Sequence, residues 1–64
     1  MGKYSYTIEF QDESGTWFKT FGEVGLEYGR GYLRHSQESP GPRLALRLVR
    51  SDGRVMDETN ALTE

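Results

Sequence analysis

Alternating apolar and polar residues near the N-terminus predict a β-hairpin. Over residues 3–11 the even positions are apolar and the odd positions are polar; the apolar set is Tyr4, Tyr6, Ile8 and Phe10. A period of two is typical of a strand with one face turned to the core. Residues 16–21 alternate as well, with Trp17, Lys19 and Phe21 on one face. Gly15 lies in the short segment between the two stretches, where a positive φ favours glycine, and this indicates a hairpin.

The middle of the chain changes to a helical spacing. Leu26, Gly29, Arg30 and Leu33 follow the 3, 4, 7 spacing of one helical face, which predicts a helix from about Val24 to Gln37. Glycines at 25, 29 and 31 each cost roughly 1 kcal/mol relative to alanine. They indicate either a close approach of the helix to the sheet or an irregular N-terminal part. The sequence Ser-Pro-Gly-Pro at 39–42 ends the helix.

A second hairpin is predicted near the C-terminus. Residues 43–50 alternate, with leucines at 44, 46 and 48 on the core side, and Gly53 completes a turn before a fourth strand over residues 54–59. A three-residue loop pairs Arg50 with Arg54. In that register the partners further along are Leu48 with Met56, Val49 with Val55, and Arg47 with Asp57.

The element order β-β-α-β-β predicts an α+β domain, with a four-stranded antiparallel sheet and one helix packed on it. We expect residues 1–60 to form this single domain and residues 61–64 to form a frayed C-terminal tail. Leu26 and Leu33 of the helix are expected to cover a core of strand residues: Tyr6, Ile8, Phe10, Leu44, Leu46 and Leu48. Two alternatives stay open, a small barrel in which residues 22–39 are mostly loop and a dimer that shares a sheet edge.

Composition limits the functions that this fold can carry. A chain of 64 residues has room for one small core and little space for a deep cleft. It contains no cysteine, so a disulfide framework and a thiolate zinc site are excluded. The net charge is −2, whereas general nucleic-acid binders usually carry a clear basic excess. No signal-peptide pattern or membrane-spanning segment is present, so a cytoplasmic location without membrane contact is expected.

The sequence offers no catalytic or cofactor-binding constellation. His35 is the only histidine, and near the end of the predicted helix it suits the helix dipole better than catalysis. The acidic pairs at 12–13 and 57–58 are expected to be solvated, because adjacent strand residues point to opposite faces. We therefore expect no enzyme activity, no cofactor and no metal.

Charge and aromatic residues suggest a contact surface instead. Residues 30–54 contain six arginines and two acidic residues, whereas residues 1–29 contain two lysines and five acidic residues. Binding interfaces are enriched in Trp, Tyr and Arg, so we predict partner contacts on the helix surface or on the open sheet face. Tyr28, Tyr32 and Arg34 lie on adjacent rows of the predicted helix, so a shared helical surface is geometrically possible. The candidate partner-binding residues are Trp17, Tyr28, Arg30, Tyr32, Arg34 and Arg47. The competing interpretation pairs arginines 43, 47 and 50 with acidic residues across the sheet.

A non-enzymatic protein-binding module is the function expected first. In size and element order the chain resembles the small accessory proteins that phages and mobile elements encode, which commonly bind and modulate a host protein. That resemblance implies an inhibitor or adaptor, and it transfers no residue role. The alternative is a nucleic-acid-binding domain that uses the arginine-rich segment 30–54. A homodimer is compatible with both, and an enzyme ranks last.

Overall fold

The computed structural model describes residues 4–20 and 22–62, and it contains four strands and one helix. The elements, in chain order, are β1 (Tyr6–Gln11), β2 (Trp17–Lys19), α1 (Leu26–Glu38), β3 (Leu46–Arg50) and β4 (Val55–Thr59). All neighbouring strands pair antiparallel, in the spatial order β2-β1-β3-β4. The predicted β-β-α-β-β fold with a helix packed on an antiparallel sheet is confirmed. The parts of the predicted strands at residues 3 and 21 lie outside the described residues.

The core is a small layer between α1 and the two central strands. Ile8, Leu33 and Leu48 are fully buried, and Leu46 is buried beside them. The partly buried side chains packed around this cluster are Tyr6, Phe10, Val24, Leu26 and Met56. Apart from Leu44, the predicted core residues therefore meet between the helix and the sheet. The alternate residues of the strands face the residues that recur every 3.6 positions along the helix.

Gly29 explains how the helix comes so close to the sheet. A Cβ atom placed at Gly29 would lie 2.9 Å from Cδ2 of Leu48, which is closer than real Cβ contacts allow. The first interpretation of the helical glycines, a close approach to the sheet, is therefore confirmed at Gly29. At Gly25 and Gly31 an added Cβ meets nothing within 4 Å.

Each hairpin turn is held by the side chain of an aspartate within it. Oδ1 of Asp12 accepts hydrogen bonds from the backbone N–H groups of Ser14 and Thr16 at 2.9 and 3.0 Å. In the second turn, Asp52 accepts from the Arg54 N–H and from the Arg50 guanidinium. Gly15 and Gly53 have φ values of 90° and 96°, as their turns require.

The predicted register of the second hairpin is correct only beside its turn. Arg50 N–H donates to Arg54 O, and Val49 lies opposite Val55. Leu48, however, pairs with Asp57 rather than with Met56, because a bulge between Leu48 and Val49 shifts the pairing by one residue. The bulge frees Met56 from a one-to-one partner and lets its side chain pack against the core.

The prediction that Leu44 belongs to the core is wrong. Its side chain is 45% exposed, whereas Ala45, expected on the outer face, is buried. The reason is that β3 begins only at Leu46, so the alternation read from residues 43–50 extends past the strand itself. The backbone does not alternate regularly here, because Arg43 bonds to Leu62 whereas the carbonyl of Ala45, two residues later, accepts from Gln11 on the opposite side.

Part of the predicted C-terminal tail is tied down. Arg43 and Leu62 form an isolated antiparallel bridge, in which each backbone N–H donates to the other residue's carbonyl at 2.8 Å. Residues 63–64 of that tail lie outside the described residues. Within the described part of the chain, no helix is long and apolar enough to cross a membrane.

Candidate functional site

A cluster on the open sheet face joins Trp17, Arg47 and Glu9. The Arg47 guanidinium lies 4.2 Å above the centroid of the Trp17 ring, and its Nε donates to Glu9 Oε1 at 2.7 Å. Trp17 is on β2 and Arg47 on β3, so the arginine side chain reaches across β1. The contact satisfies Arg47 within the fold, through a cation–π interaction and a charge-assisted hydrogen bond.

Tyr28 and Tyr32 form an exposed pair on the helix. Their rings are stacked with centroids 6.5 Å apart, as expected for residues one turn apart. Tyr28 is 60% exposed and Tyr32 is 38% exposed. A large apolar area on a chain with only 34% hydrophobic residues therefore faces outward.

The direction of α1 fixes which way this pair faces. The Ile8 side chain points to the helix, and the Ile8 carbonyl accepts a hydrogen bond from the Thr20 N–H at 3.0 Å, on the β2 side of β1. For an L-residue, the directions of the strand and of the side chain fix the side to which the carbonyl points, so they also fix the side of β1 on which β2 lies. The helix starts beside the beginning of β1, because Val24 bridges to Tyr6, and the chain that follows it enters β3 at Leu46, opposite Phe10 near the end of β1. The helix therefore runs in the same sense as β1. A right-handed helix in this position turns Tyr28 and Tyr32 toward β2.

Phe18 adds to the apolar surface on that side of the molecule. In the described part of the chain, α1 packs against β1, β3 and β4 but not against β2. Phe18 consequently stays 44% exposed, with its ring centroid 5.5 Å from that of Phe10. We call Phe18, Tyr28 and Tyr32 the aromatic flank.

The predicted arginines of the helix lie elsewhere. Arg30 and Arg34 are exposed and follow the tyrosines by two positions each, which places their row about 200° around the helix, toward β4. The shared surface that the sequence left possible for Tyr28, Tyr32 and Arg34 is not formed in this geometry. The two rows occupy opposite flanks of α1.

The arginine-rich segment does not form one basic surface. Arg47 is paired with Glu9, and Nη2 of Arg50 lies 2.7 Å from Asp52 while its guanidinium stacks over Tyr4. The hydrogen bond to Arg50 is the main reason that the pKa of Asp52 falls from 3.8 to about 2. The expected pairing of arginine with acid is thus present for Arg47 across the sheet, whereas Arg50 pairs within its own turn.

His35 lies exposed in the last turn of the helix, where a cation suits the helix dipole. Across residues 4–20 and 22–62, no group of three or more His, Asp or Glu side chains could hold a metal ion.

The pKa of Asp12 is lowered, chiefly by the hydrogen bond that Ser14 Oγ donates, which is a contact within the first hairpin turn.

The structure also contains a groove that the sequence did not reveal. It has a volume of about 340 Å³ and is lined by Glu13, Pro42, Arg43, Leu44 and Leu62. The five residues come from the first hairpin turn, the entry to β3 and the C-terminal segment. The one sequence feature connected with the groove is Leu44, and the alternation of residues 43–50 led us to place it in the core instead.

Comparison of the chain with protein-family models, with curated protein sequences and with solved structures found no match.

Proposed function

We propose that this protein is a non-enzymatic binding module that docks on another protein through the aromatic flank. The observation that carries the proposal is the stacked, outward-facing pair of Tyr28 and Tyr32. Interface energy concentrates in a few tyrosine, tryptophan and arginine anchors that lose water on binding. Tyrosine suits this role because its ring buries a large apolar area at little cost in conformational entropy.

The geometry favours the aromatic flank over the open sheet face. Trp17 and Arg47 are half-buried against each other, and Glu9 neutralises the arginine. A partner that used Arg47 would have to compete with that carboxylate. This cluster therefore supports the sheet, and the aromatic flank offers the larger gain from desolvation.

The partner that fits is a protein surface with an apolar centre. The exposed rings lie on the side of the helix away from Arg30 and Arg34, so apolar contact dominates there. An inhibitor or adaptor of the kind that phages and mobile elements encode works in this way, by covering a surface of a host protein. The nucleic-acid alternative is less favoured, since two arginines of segment 30–54 are paired with acids.

Affinity capture with matched variants tests the proposal. Tyr28→Ala removes the more exposed ring, and Arg34→Ala is the matched control on the opposite flank. We expect a protein that wild type and Arg34→Ala retain and that Tyr28→Ala loses, as measured by quantitative mass spectrometry. Equal retention by all three proteins would contradict the proposal. Salt-sensitive binding of labelled RNA or DNA that depends on Arg34 would replace it with the nucleic-acid alternative.

A further inference from the structure

Strand β2 leaves backbone polar groups unpaired along its outer edge. The Thr20 N–H donates to the Ile8 carbonyl at 3.0 Å, so even-numbered residues of this stretch bond to β1. Bonded and non-bonded positions alternate along an antiparallel pair, so the N–H and C=O groups of Trp17 and Lys19 point away from β1. In the described part of the chain β2 is the outermost strand, and these groups have no strand beside them.

The opposite edge of the sheet, at β4, is protected by its own side chains. The Glu58 N–H donates to Oδ1 of Asp57 at 2.9 Å, so this donor is already used. Asp57 and Glu58 are both exposed acids, and a second copy of β4 pairing with this edge would bring like charges together. Charge and hydrogen bonding therefore favour β2 as the edge that accepts another strand.

The unpaired groups of β2 are complementary to those of a second, antiparallel β2. A two-fold axis through Phe18 places Trp17 of one copy opposite Lys19 of the other. Both residues direct their polar groups to the edge, so each of these pairs exchanges two N–H···O bonds. Each lysine lies opposite a tryptophan, so this register does not place like charges directly opposite each other.

The same axis brings exposed aromatic side chains together on the helix side of the sheet. Phe18 is 44% exposed and lies on the axis, in a non-bonded pair, where opposite side chains come closest. An axis of this kind is perpendicular to the sheet, so both helices stay on one face. Because Tyr28 and Tyr32 face toward β2, the two aromatic flanks face each other across the axis.

We infer that the protein forms a two-fold symmetric dimer in which β2 pairs with β2 of a second copy. The two four-stranded sheets join into one, and the two aromatic flanks form one continuous surface. The paired edge is short, so the contact belongs to the small, transient class of interfaces. The dimer is defined by backbone pairing at β2 and goes beyond the proposed docking function.

Sedimentation velocity and amide hydrogen exchange of the purified protein test the inference, at concentrations up to about 1 mM because the contact is transient. We expect the average mass to rise from monomer toward dimer. The Trp17 and Lys19 amides should exchange more slowly in proportion to the dimer fraction, whereas the Glu58 amide at the other edge should not change. A protein that stays monomeric, or a dimer in which the Trp17 and Lys19 amides exchange as in the monomer, would overturn the inference.

Substitutions at the edge distinguish this dimer from any other. Lys19→Pro removes an N–H that points away from β1, and it should weaken dimerisation at least about tenfold. The control Lys19→Ala keeps the N–H and should stay within about twofold of wild type. Phe18→Asp places like charges on the axis without removing a backbone donor, and it should cause a similar loss. Circular dichroism identifies the folded variants, and wild-type dimerisation of either folded edge variant would contradict pairing through β2.

Tyr28→Ala separates the dimer from the proposed docking function. Tyr28 is on the helix and not on the paired edge, so this variant should dimerise within about twofold of wild type. Loss of the dimer in Tyr28→Ala, with the dimer retained in Lys19→Pro, would place the contact on the helix and overturn the inference. Dimerisation is measured with the purified protein alone, so its failure is distinguishable from failure to capture a partner.

Discussion

At the scale of single residues, the two glycines of α1 have opposite effects on stability. Gly29 lies against Leu48, and a Cβ there would overlap the leucine side chain, whereas an added Cβ at Gly31 meets nothing within 4 Å. Alanine is intrinsically more favourable than glycine in a helix, so it should stabilise the helix at position 31. At position 29 the overlap with Leu48 outweighs that preference.

We predict that Gly29→Ala lowers the free energy of unfolding by about 1–3 kcal/mol through overpacking. Gly31→Ala, the matched control in the same helix, should raise it by up to about 1 kcal/mol. Urea unfolding followed by circular dichroism measures both. If the two alanines changed stability in the same direction, the close contact of Gly29 with the sheet would be wrong.

The sequence predicted which single residues form the core wherever two periodicities agreed. Ile8, Leu33 and Leu48 follow from strand and helix spacing, and all three are buried. The prediction for Leu44 was wrong because the alternation in the sequence begins at residue 43, whereas the strand itself begins only at Leu46. The neighbour across the sheet decides burial, and a single sequence does not state that neighbour.

At the scale of elements, the β3–β4 hairpin depends on its turn. Asp52 binds both the Arg54 N–H and the Arg50 guanidinium, and its pKa is lowered to about 2. A carboxyl whose pKa is lower in the folded state stabilises the fold when it is ionised. That stabilisation is present above about pH 4 and is lost as the pH falls toward about 2.

We predict that Asp52→Asn is less stable than wild type at pH 7 and that the difference shrinks as the pH falls from about 4 to about 2. Asparagine keeps an acceptor oxygen but loses the charge that pairs with Arg50. The matched control is Glu58→Gln, since Glu58 is an exposed acid in the same hairpin without an ion pair among the described residues. Unfolding curves across this pH range provide the measurement. A difference that stayed constant with pH would contradict the role of Asp52.

The bulge in this hairpin shows where prediction from sequence stops at the element scale. Turn chemistry correctly indicated Gly53 and the pairing of Arg50 with Arg54. Beyond the turn, burial of Met56 competes with regular pairing, and packing displaces the register by one residue. A bulge of this kind depends on contacts with the helix, which strand patterns do not contain.

At the scale of the whole molecule, one small core holds the helix on the sheet. Leu48 lies at its centre, on the central strand β3 and in contact with Gly29. A domain of this size has only a few kcal/mol of net stability, so the loss of one central side chain is severe.

We predict that Leu48→Ala costs about 2–5 kcal/mol of unfolding free energy, which is enough to unfold much of the population. Leu44→Ala removes the same side chain from an exposed position and should change stability by no more than about 0.5 kcal/mol. Thermal and urea unfolding of the pair compare the two sites directly. Equal losses would show that Leu44 is part of the core after all.

The candidate sites were only partly accessible to prediction at this scale. The sequence pointed to Tyr28, Tyr32, Trp17 and Arg47 as contact residues by their type. It did not reveal that Trp17 and Arg47 contact each other across β1, because the order of the strands was open. The exposure of Phe18 follows from the position of the helix over β1, β3 and β4, which is a property of the assembled fold.

The most direct measurement of the central claim is the affinity of the captured partner for three variants, determined by titration calorimetry with folded protein. We predict that Tyr28→Ala weakens binding at least about tenfold, or ~1.4 kcal/mol, because an exposed anchor of the aromatic flank is removed. Arg34→Ala and Arg47→Ala should each stay within about twofold of wild type, since Arg34 lies on the opposite flank and Arg47 is paired with Glu9. Unchanged affinity of Tyr28→Ala, together with a tenfold loss in either arginine variant, would contradict docking through the aromatic flank.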